Sequence, residues 1–334
     1  MESTPLRVDL IVPVYNEQEA IGAFHAQVSA ATAVLPYAFQ IYYINDGSTD
    51  STAALLAEIA ANDARVHIIE LSRNFGHQAA LTAGLDRAEG DYVISLDGDG
   101  QHPPQCIGEM LHLAEHSGYD IVLMQRAGEN SSATFKSNSS RLFYGLINRI
   151  GDTQVVPGAA DFRLMARPVV LALRSMPEYS RFLRGMVNWM GFRTIILPYA
   201  QPARLAGKSK YTLRKMFNLA IEAIFSFSLV PLYIAITIGV IFLILAVLEV
   251  IYVLSLWLSG NQASLAPGWS SLMFMLLLVG GSLMIALGLI GIYIGYIFQE
   301  VKRRPIYLIR RAWSQTGAEP TQPDADRPGT SRAP

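Results

Sequence analysis

The chain has 334 residues, which is enough for one large domain or two ordinary ones. Its formal net charge is −1, so no overall basic field indicates nucleic acid as a partner. The single cysteine, Cys106, excludes an intramolecular disulfide framework and any CxxC metal site. The first residues run directly into an apolar strand without the basic start and apolar core of a signal peptide, so we expect the N-terminal part to stay in the cytoplasm.

The first hundred residues alternate between the hydrophobic periods of strands and helices. Strands are predicted over 7–13, 40–45, 66–71 and 91–96, and helices over 17–35, 50–62 and 77–88. This alternation predicts right-handed βαβ units and a mostly parallel sheet. No G-x-G-x-x-G follows the first strand, which argues against a dinucleotide-binding fold.

The middle of the chain continues this pattern less regularly. Helices are predicted over 105–116, 141–150 and 168–175, and extended segments over 120–125, 158–166 and 191–199. The polar stretch 126–140 is typical of a mobile loop over a site. A basic, glycine-containing loop covers 204–210.

Two long, almost uncharged apolar runs, 229–258 and 271–298, predict two transmembrane helices, since a span needs about 20 residues. The amphipathic stretch 213–228 fits a helix in the membrane interface. Basic residues precede the first run and follow the second, so both ends are predicted to be cytoplasmic. The Pro- and Asp-rich tail from Gln315 onward is predicted to be disordered.

Acidic turns follow the predicted strands. The stretch Asp97-Gly-Asp99-Gly-Gln101 ends the fourth strand, and Asp46 follows the second. Carboxylates at the carboxyl ends of parallel strands lie where open α/β sheets bind ligands. A divalent cation held by oxygen ligands is one interpretation, and a Gly/Asp turn with only a backbone role is the other. Converging acidic turns would repel one another unless a cation or hydrogen-bond donors lie among them.

A second set of residues offers cations and a hydroxyl, the groups that bind phosphate oxygens. These residues are Arg126, Arg141, Arg204, Ser209 and Lys210. Taken singly, each is more often a solvated surface group.

Six motifs together carry a resemblance to a known family. They are Pro13-Val-Tyr-Asn-Glu17, Asp46-Gly-Ser-Thr-Asp50, Ser72-Arg-Asn-Phe-Gly76, Asp97-Gly-Asp-Gly-Gln101, Asp161-Phe-Arg-Leu164 and Arg204-Leu-Ala-Gly-Lys-Ser-Lys210. As a set they resemble the family 2 glycosyltransferases of the GT-A fold, and within these the polyprenyl-phosphate sugar synthases. The resemblance implies an α/β, Rossmann-like catalytic domain over 1–212. An interfacial helix (213–228), a transmembrane hairpin (229–300) and a basic juxtamembrane segment with a disordered tail (301–334) complete the predicted organisation.

The resemblance also implies roles for individual residues. Nucleotide contacts fall to Pro13, Tyr15, Glu17, Asp46, Asn74, Gly76 and Asp97. Metal ligation of Mg²⁺ or Mn²⁺ falls to Asp97, Asp99 and Gln101. The residues implied to bind the donor and acceptor phosphates are Arg126, Arg141, Arg204, Ser209 and Lys210. Those implied to take part in catalysis are Asp99, Asp161, Arg126 and Arg141. His77 stands at a position where relatives vary, and it receives no role.

The implied reaction transfers a hexose, with UDP-glucose the favoured donor, to undecaprenyl phosphate at the cytoplasmic face of the plasma membrane, with inversion. UDP-N-acetylglucosamine, GDP-mannose or a UDP-aminoarabinose derivative remain alternative donors. A processive polysaccharide synthase and a non-catalytic membrane scaffold are alternative classes. Glycines in the second apolar run allow close helix approach, so a homo-oligomer such as a tetramer is compatible with the sequence.

Overall fold

The structure, a computed structural model, describes residues 5–127, 159–176, 178–179, 181–202, 230–260, 268–315 and 317–318. The chain divides into two compact units. One comprises Met1–Met216 together with Pro305–Pro334, and the other is Phe217–Arg304. The second unit is therefore inserted into the chain of the first.

The first unit alternates strands and helices, as the hydrophobic periods predict. Its elements are β1 (Arg7–Val14), α1 (Ile21–Ala33), β2 (Ala38–Asn45), α2 (Thr52–Asn62), β3 (Val66–Leu71), α3 (His77–Leu85), β4 (Tyr92–Ser95), α4 (Ile107–Ser117), β5 (Ile121–Arg126), β6 (Ala159–Ala166), α5 (Arg167–Ser175), α6 (Leu183–Trp189), β7 (Thr194–Tyr199), β8 (Ile309–Ser314) and β9 (Gly317–Ala318). The short helix α6 was not predicted, and the predicted helix over 141–150 lies outside the described residues.

One sheet runs through the unit in the order β7-β5-β6-β4-β1-β2-β3-β8-β9. Strands β3, β2, β1 and β4 are parallel, which confirms the predicted block of βαβ units. Strand β6 is antiparallel to both β4 and β5, so β5 runs in the same direction as β4. The carboxyl ends of β1 to β5 therefore share one edge of the sheet.

Helix α3 lies unusually close to the sheet, and this places its N-terminus at that edge. A Cβ atom on Gly84 would come within 2.3 Å of Ile11 Cγ2 and 2.8 Å of Ile44 Cδ1. Only glycine leaves room for this approach. Because α3 begins at His77, the packing brings that side chain to the edge formed by the strand ends.

The segment after the second apolar run, predicted to be a basic juxtamembrane segment with a disordered tail, contains two strands, while residues 319–334 lie outside the described residues. Strand β8 pairs antiparallel with β3, and Gly317–Ala318 adds β9 to it. Arg311, counted among the cytoplasmic charges, donates from Nε and Nη2 to Glu70 Oε2 at 3.0 and 2.7 Å. Ala312 and Ser314 are buried on the other face of the strand. The segment looks basic in the sequence, but it forms a strand because its buried and exposed residues alternate and one of its charges is paired.

The second unit contains two long helices, α7 (Val230–Leu258) and α8 (Trp269–Lys302), which pack against each other. Large apolar side chains are exposed along both helices. Among the described residues, one stretch, Leu278–Lys302, is long and apolar enough to cross a membrane. The prediction of two spans stays a prediction, and the predicted interfacial helix 213–228 lies outside the described residues.

Candidate active site

The loop after β1 is fastened to the loop after β2. Asn16 adopts a left-handed backbone conformation, with φ of 52°. Its N–H donates to Ser48 Oγ (3.0 Å), and its Oδ1 accepts from the N–H of Thr49 (2.8 Å). The N–H of Glu17 donates to Thr52 Oγ1 at 2.9 Å. Asn16 is therefore a link between two strand-end loops and not the N-cap of α1, which begins at Ile21.

Asp46 fastens the loop after β3 in the same way. Its Oδ1 and Oδ2 accept hydrogen bonds from the N–H groups of Phe75 (2.7 Å) and Gly76 (2.9 Å). The side chain is buried, and burial raises the pKa of Asp46 against the opposing effects of these hydrogen bonds and of His77. Gly47 packs closely against the same loop, since a Cβ there would lie 2.5 Å from the Arg73 carbonyl carbon. The predicted nucleotide-binding loops thus form one interlocked rim.

Asp97 and Asp99 follow β4 at the same edge. Gly98, between them, packs so closely on the end of β1 that a Cβ would lie 2.9 Å from Val14 Cγ1. Asp99 Oδ1 accepts from the N–H of Gln101 at 3.0 Å, which holds the turn. The N–H of Asp97 donates to Nδ1 of the buried His102 at 2.8 Å.

His77 lies at the centre of the acidic turns. Its Nε2 is 3.4 Å from Asp97 Oδ1 and 3.4 Å from Asp161 Oδ2. Burial lowers the pKa of His77, but the charges of Asp97 and Asp161 outweigh it, so the pKa is raised. The charge of His77 also lowers the pKa of Asp46. His77 is one of the donors that the convergence of acidic turns requires, although the sequence analysis gave it no role.

Asp161 is the most tightly held carboxylate of the site. Register places β6 against β4 so that Ser95 Oγ donates to the Asp161 carbonyl at 2.6 Å. Arg184 donates from Nε to Oδ1 (3.1 Å) and from Nη2 to Oδ2 (2.8 Å), and Arg163 also bonds Oδ1. Burial favours a raised pKa for Asp161, yet Arg184, His77 and Arg163 hold it well below its usual range. Asp161 is therefore a fixed negative charge and not a proton acceptor.

Arg126 ends β5 at the same edge. Its charge lowers the pKa of His102 and opposes the burial that raises the pKa of Tyr199, so the guanidinium lies near both. The structure thus brings together Asp46, Asp97, Asp99, Asp161 and Arg126.

The remaining predicted residues lie around this cluster or outside the described part of the chain. Pro13 is buried within β1, whereas Tyr15 and Glu17 are half-buried just beyond it. Asn74 is exposed in the loop after β3, where Gly76 is bound to Asp46. Outside the described residues lie Arg141, Arg204, Ser209 and Lys210.

The site fits a divalent cation whose remaining ligands come from a second molecule. Asp97 Oδ1 is shielded from solvent and accepts no hydrogen bond from the described part of the chain. A carboxylate oxygen without a hydrogen bond, here with His77 Nε2 3.4 Å away, suits a hard cation. Among the described residues, however, no three His, Cys, Asp or Glu side chains form a ready metal cluster. Asp97, Asp99 and Gln101 would therefore need further oxygen ligands, which a diphosphate supplies.

Comparisons with known proteins agree with this geometry. The chain matches the glycosyl transferase family 2 model over residues 9–173. An uncharacterized glycosyltransferase of Synechocystis sp. is 35% identical over 309 residues, covering 92% of this chain and 96% of that protein. The chain belongs to glycosyl transferase family 2 and is a glycosyltransferase.

Two further relatives have more specific names. A prophage bactoprenol glucosyl transferase homolog of Escherichia coli is 37% identical over 309 residues, covering 92% of this chain and 99% of that protein. The bactoprenol glucosyl transferase of Shigella phage SfII is 37% identical over 311 residues, covering 92% and 98%. The resemblance drawn from the motifs is thereby confirmed.

Four residues of the cluster were missed by sequence reasoning. Arg163 had a signal, because residues two apart on a strand share a face and Arg163 follows Asp161 at that spacing. His77 directly follows the motif that ends at Gly76, and His102 directly follows the motif that ends at Gln101. Neither pattern gave a reason to assign these histidines a role. Arg184 lies in no motif, and only the packing of α6 brings it to Asp161.

Proposed function

We propose that this protein transfers a hexose from a nucleotide sugar to a polyprenyl phosphate, with UDP-glucose as donor and undecaprenyl phosphate as acceptor. The observation that carries the proposal is the similarity, over more than nine-tenths of both chains, to relatives named bactoprenol glucosyl transferase. The carboxylates clustered beside Arg126 support it, because they can hold a divalent cation next to the cationic Arg126. A nucleotide sugar and a lipid phosphate are both anions, so they need such cations between them.

The chemistry suits a site without a strong base. A phosphate monoester is already largely dianionic at neutral pH, since its second pKa lies near ~6. The acceptor oxygen can therefore attack the anomeric carbon without losing a proton to the protein. Asp161, saturated by two guanidinium groups, is consistent with this, because its fixed charge can act only electrostatically. Attack opposite the departing diphosphate inverts the anomeric centre.

Positioning and charge neutralisation are then what the protein supplies. The rim formed by Asn16, Asp46 and Gly76 gives the nucleotide a preformed boundary. Asp97, Asp99 and Gln101 would hold Mg²⁺ or Mn²⁺, which neutralises charge on the departing nucleoside diphosphate. Arg126, with Arg141, Arg204, Ser209 and Lys210, is proposed to bind the donor and acceptor phosphates.

The membrane arrangement is part of the proposal. The apolar helix stretch Leu278–Lys302 supports at least one span, and the length of α7 supports a second. We propose two spans, a catalytic domain at the cytoplasmic face of the plasma membrane, and assembly as a homo-oligomer.

One assay tests the reaction. Purified protein is incubated with Mn²⁺, undecaprenyl phosphate and a panel of labelled nucleotide sugars that includes UDP-glucose, UDP-N-acetylglucosamine and GDP-mannose. We expect a single labelled, mild-acid-labile lipid, formed from UDP-glucose. A long labelled polymer would instead indicate a processive synthase, and nucleotide binding without transfer would indicate a scaffold.

A substitution tests the metal assignment in the same assay. Asp99→Asn removes one carboxylate charge but retains the oxygen that accepts from Gln101, so the turn should persist. We expect transfer to fall by at least about 10²-fold, as when a group that stabilises the transition state is removed. The thermal midpoint should not change. Glu58→Gln, at an exposed position of α2, is the matched control and should retain full activity. Full activity of Asp99→Asn would refute the assignment.

A further inference from the structure

His102 is a buried polar side chain that neither the motif roles nor the relatives' names account for. Its exposed fraction is 0%, and its ring lies between two aromatic side chains. Phe162 stacks on it at a centroid distance of 5.2 Å and an interplanar angle of 16°, and Tyr199 contacts it edge-on at 6.2 Å. A ring held on both sides has one orientation, so its two nitrogen atoms point in fixed directions.

The hydrogen bond to Asp97 sets the tautomer of this ring. The main-chain N–H of Asp97 can only donate, so Nδ1 of His102 must accept and carries no proton. A neutral imidazole then carries its proton on Nε2. That nitrogen is buried and has no hydrogen-bond partner among the described residues, but it lies 3.6 Å from Asp97 Oδ2. This distance exceeds that of a hydrogen bond, so Nε2–H makes only a weak electrostatic contact with the carboxylate of the residue whose backbone the ring holds.

We propose that His102 is a positioning residue that holds Asp97 through its main chain, accepting from the N–H at Nδ1, with Nε2–H as a weaker electrostatic contact to the carboxylate at 3.6 Å. This inference rests on the proposed function, in which Asp97 binds the cation and the diphosphate.

The partners of His102 explain why a histidine suits this place. Nδ1 holds the backbone at the start of the acidic turn, and Nε2 lies 3.6 Å from one carboxylate oxygen, Oδ2, which is beyond hydrogen-bond distance. The other oxygen, Oδ1, accepts no hydrogen bond from the described residues, although His77 Nε2 lies 3.4 Å from it, and it is the oxygen proposed to bind the cation. Phe162 adjoins Asp161 in β6, so the ring also joins the acidic turn after β4 to the strand that carries Asp161. A phenylalanine would fill the same space but would have no nitrogen atom near the main-chain N–H or the carboxylate of Asp97.

Three variants separate positioning from packing. His102→Phe keeps the aromatic ring and removes both hydrogen-bonding nitrogens. His102→Asn keeps an acceptor near the place of Nδ1 and removes the donor at Nε2. Phe162→Leu removes the stacking partner and keeps both nitrogens of His102.

The measurement is Mn²⁺ binding in the presence of UDP, followed by electron paramagnetic resonance on the full-length protein in detergent. We expect His102→Phe to weaken Mn²⁺ binding by about tenfold, the scale of one lost hydrogen bond. His102→Asn should lose less, about threefold, because the backbone contact is retained. Phe162→Leu should lower the thermal midpoint but weaken Mn²⁺ binding less than His102→Phe does, because the nitrogen that accepts from Asp97 is retained. Wild-type affinity in His102→Phe would overturn the proposal, even if the thermal midpoint falls.

A measurement on the unmodified protein covers the case in which the variants do not fold. With ¹⁵N-labelled histidine and UDP, the Nδ1 of His102 should show the shift of an unprotonated nitrogen, and the Nε2 resonance should move when Mg²⁺ is added. A proton on Nδ1, or an Nε2 resonance indifferent to Mg²⁺ that does bind, would refute the role of His102. Failure of wild-type protein to bind Mn²⁺ or Mg²⁺ with UDP would refute the proposed metal site itself.

Discussion

At the scale of single residues, the site is a set of carboxylates whose charges are balanced before any ligand binds. Asp161 illustrates this, since Arg163 and Arg184 bond it and His77 lies 3.4 Å away. Asp97 differs, because its Oδ1, although also 3.4 Å from His77 Nε2, accepts no hydrogen bond from the described residues. Carboxylates in one cluster therefore have different surroundings, and we propose that neighbouring donors decide which one is structural and which one binds a cation.

Asp161→Asn tests this division. The substitution leaves two guanidinium groups facing a neutral amide, one of them the buried Arg163. Removing one member of a buried ion pair costs on the order of 3 kcal/mol in the free energy of unfolding. We expect a lower thermal midpoint together with lost activity, in contrast to Asp99→Asn, which should lose activity alone. Equal stability of both variants would contradict the structural role of Asp161.

The pH dependence of this loss follows from the depressed pKa of Asp161. A carboxyl whose folded-state pKa is lowered stabilises the fold fully above its unfolded-state value, near 3.8 here, and loses that effect as the pH falls toward the folded-state value. The difference in unfolding free energy between wild type and Asp161→Asn should thus shrink only below about pH 4; between pH 7 and about pH 5 it should hold or grow, because protonation of His77, whose pKa Asp161 raises, adds to it.

At the scale of elements, loops after three different strands are held as one rim. Gly47 is a contact point, with φ of +66° and a position from which a Cβ would lie 2.5 Å from the Arg73 carbonyl carbon and 2.7 Å from Asn74 N. Backbone atoms cannot move aside as a flexible side chain can. A side chain at this position would therefore separate the loops that Asp46 joins.

Gly47→Ala should consequently raise the KM for the nucleotide sugar by about tenfold, which corresponds to about 1.4 kcal/mol. The KM for the lipid acceptor should change much less, because the rim adjoins the proposed nucleotide side of the site. Gly22→Ala, where an added Cβ meets nothing within 4 Å, is the control and should match wild type. An unchanged donor KM in Gly47→Ala would show that the rim does not form the nucleotide pocket.

Strand β8 is the second element whose role can be tested. A chain ending after Arg304 lacks β8, the Arg311–Glu70 contacts and the hydrogen bond from Tyr307 to Asp86 (2.8 Å). We expect the thermal midpoint of the catalytic domain to fall by at least about 5 °C, since about 1 kcal/mol corresponds to about 2–4 °C in a domain of this size. A chain ending after Ala318 keeps β8 and β9 and should be as stable as wild type. Equal stability of both truncations would mean that β8 contributes nothing.

At the scale of the whole molecule, the sequence predicts what is local and misses what is distant. The parallel block β1 to β4 follows from hydrophobic periods, and its acidic turns follow from strand ends. Strand β8 could not be found in this way, because its partner β3 lies more than two hundred residues earlier and two arginines mask its alternation. Arg184 was missed for the same reason, since only the tertiary fold brings α6 to Asp161.

The insertion of Phe217–Arg304 into the chain of the first unit has a consequence for how the protein is made. Domains fold from the N-terminus as the chain leaves the ribosome. Here the β3 edge stays unpaired until both apolar helices have been synthesised, because β8 begins only at Ile309. An open strand edge is prone to aggregation. The catalytic sheet is thus completed only after the apolar helices have been made, although the strand that completes it belongs to the first unit.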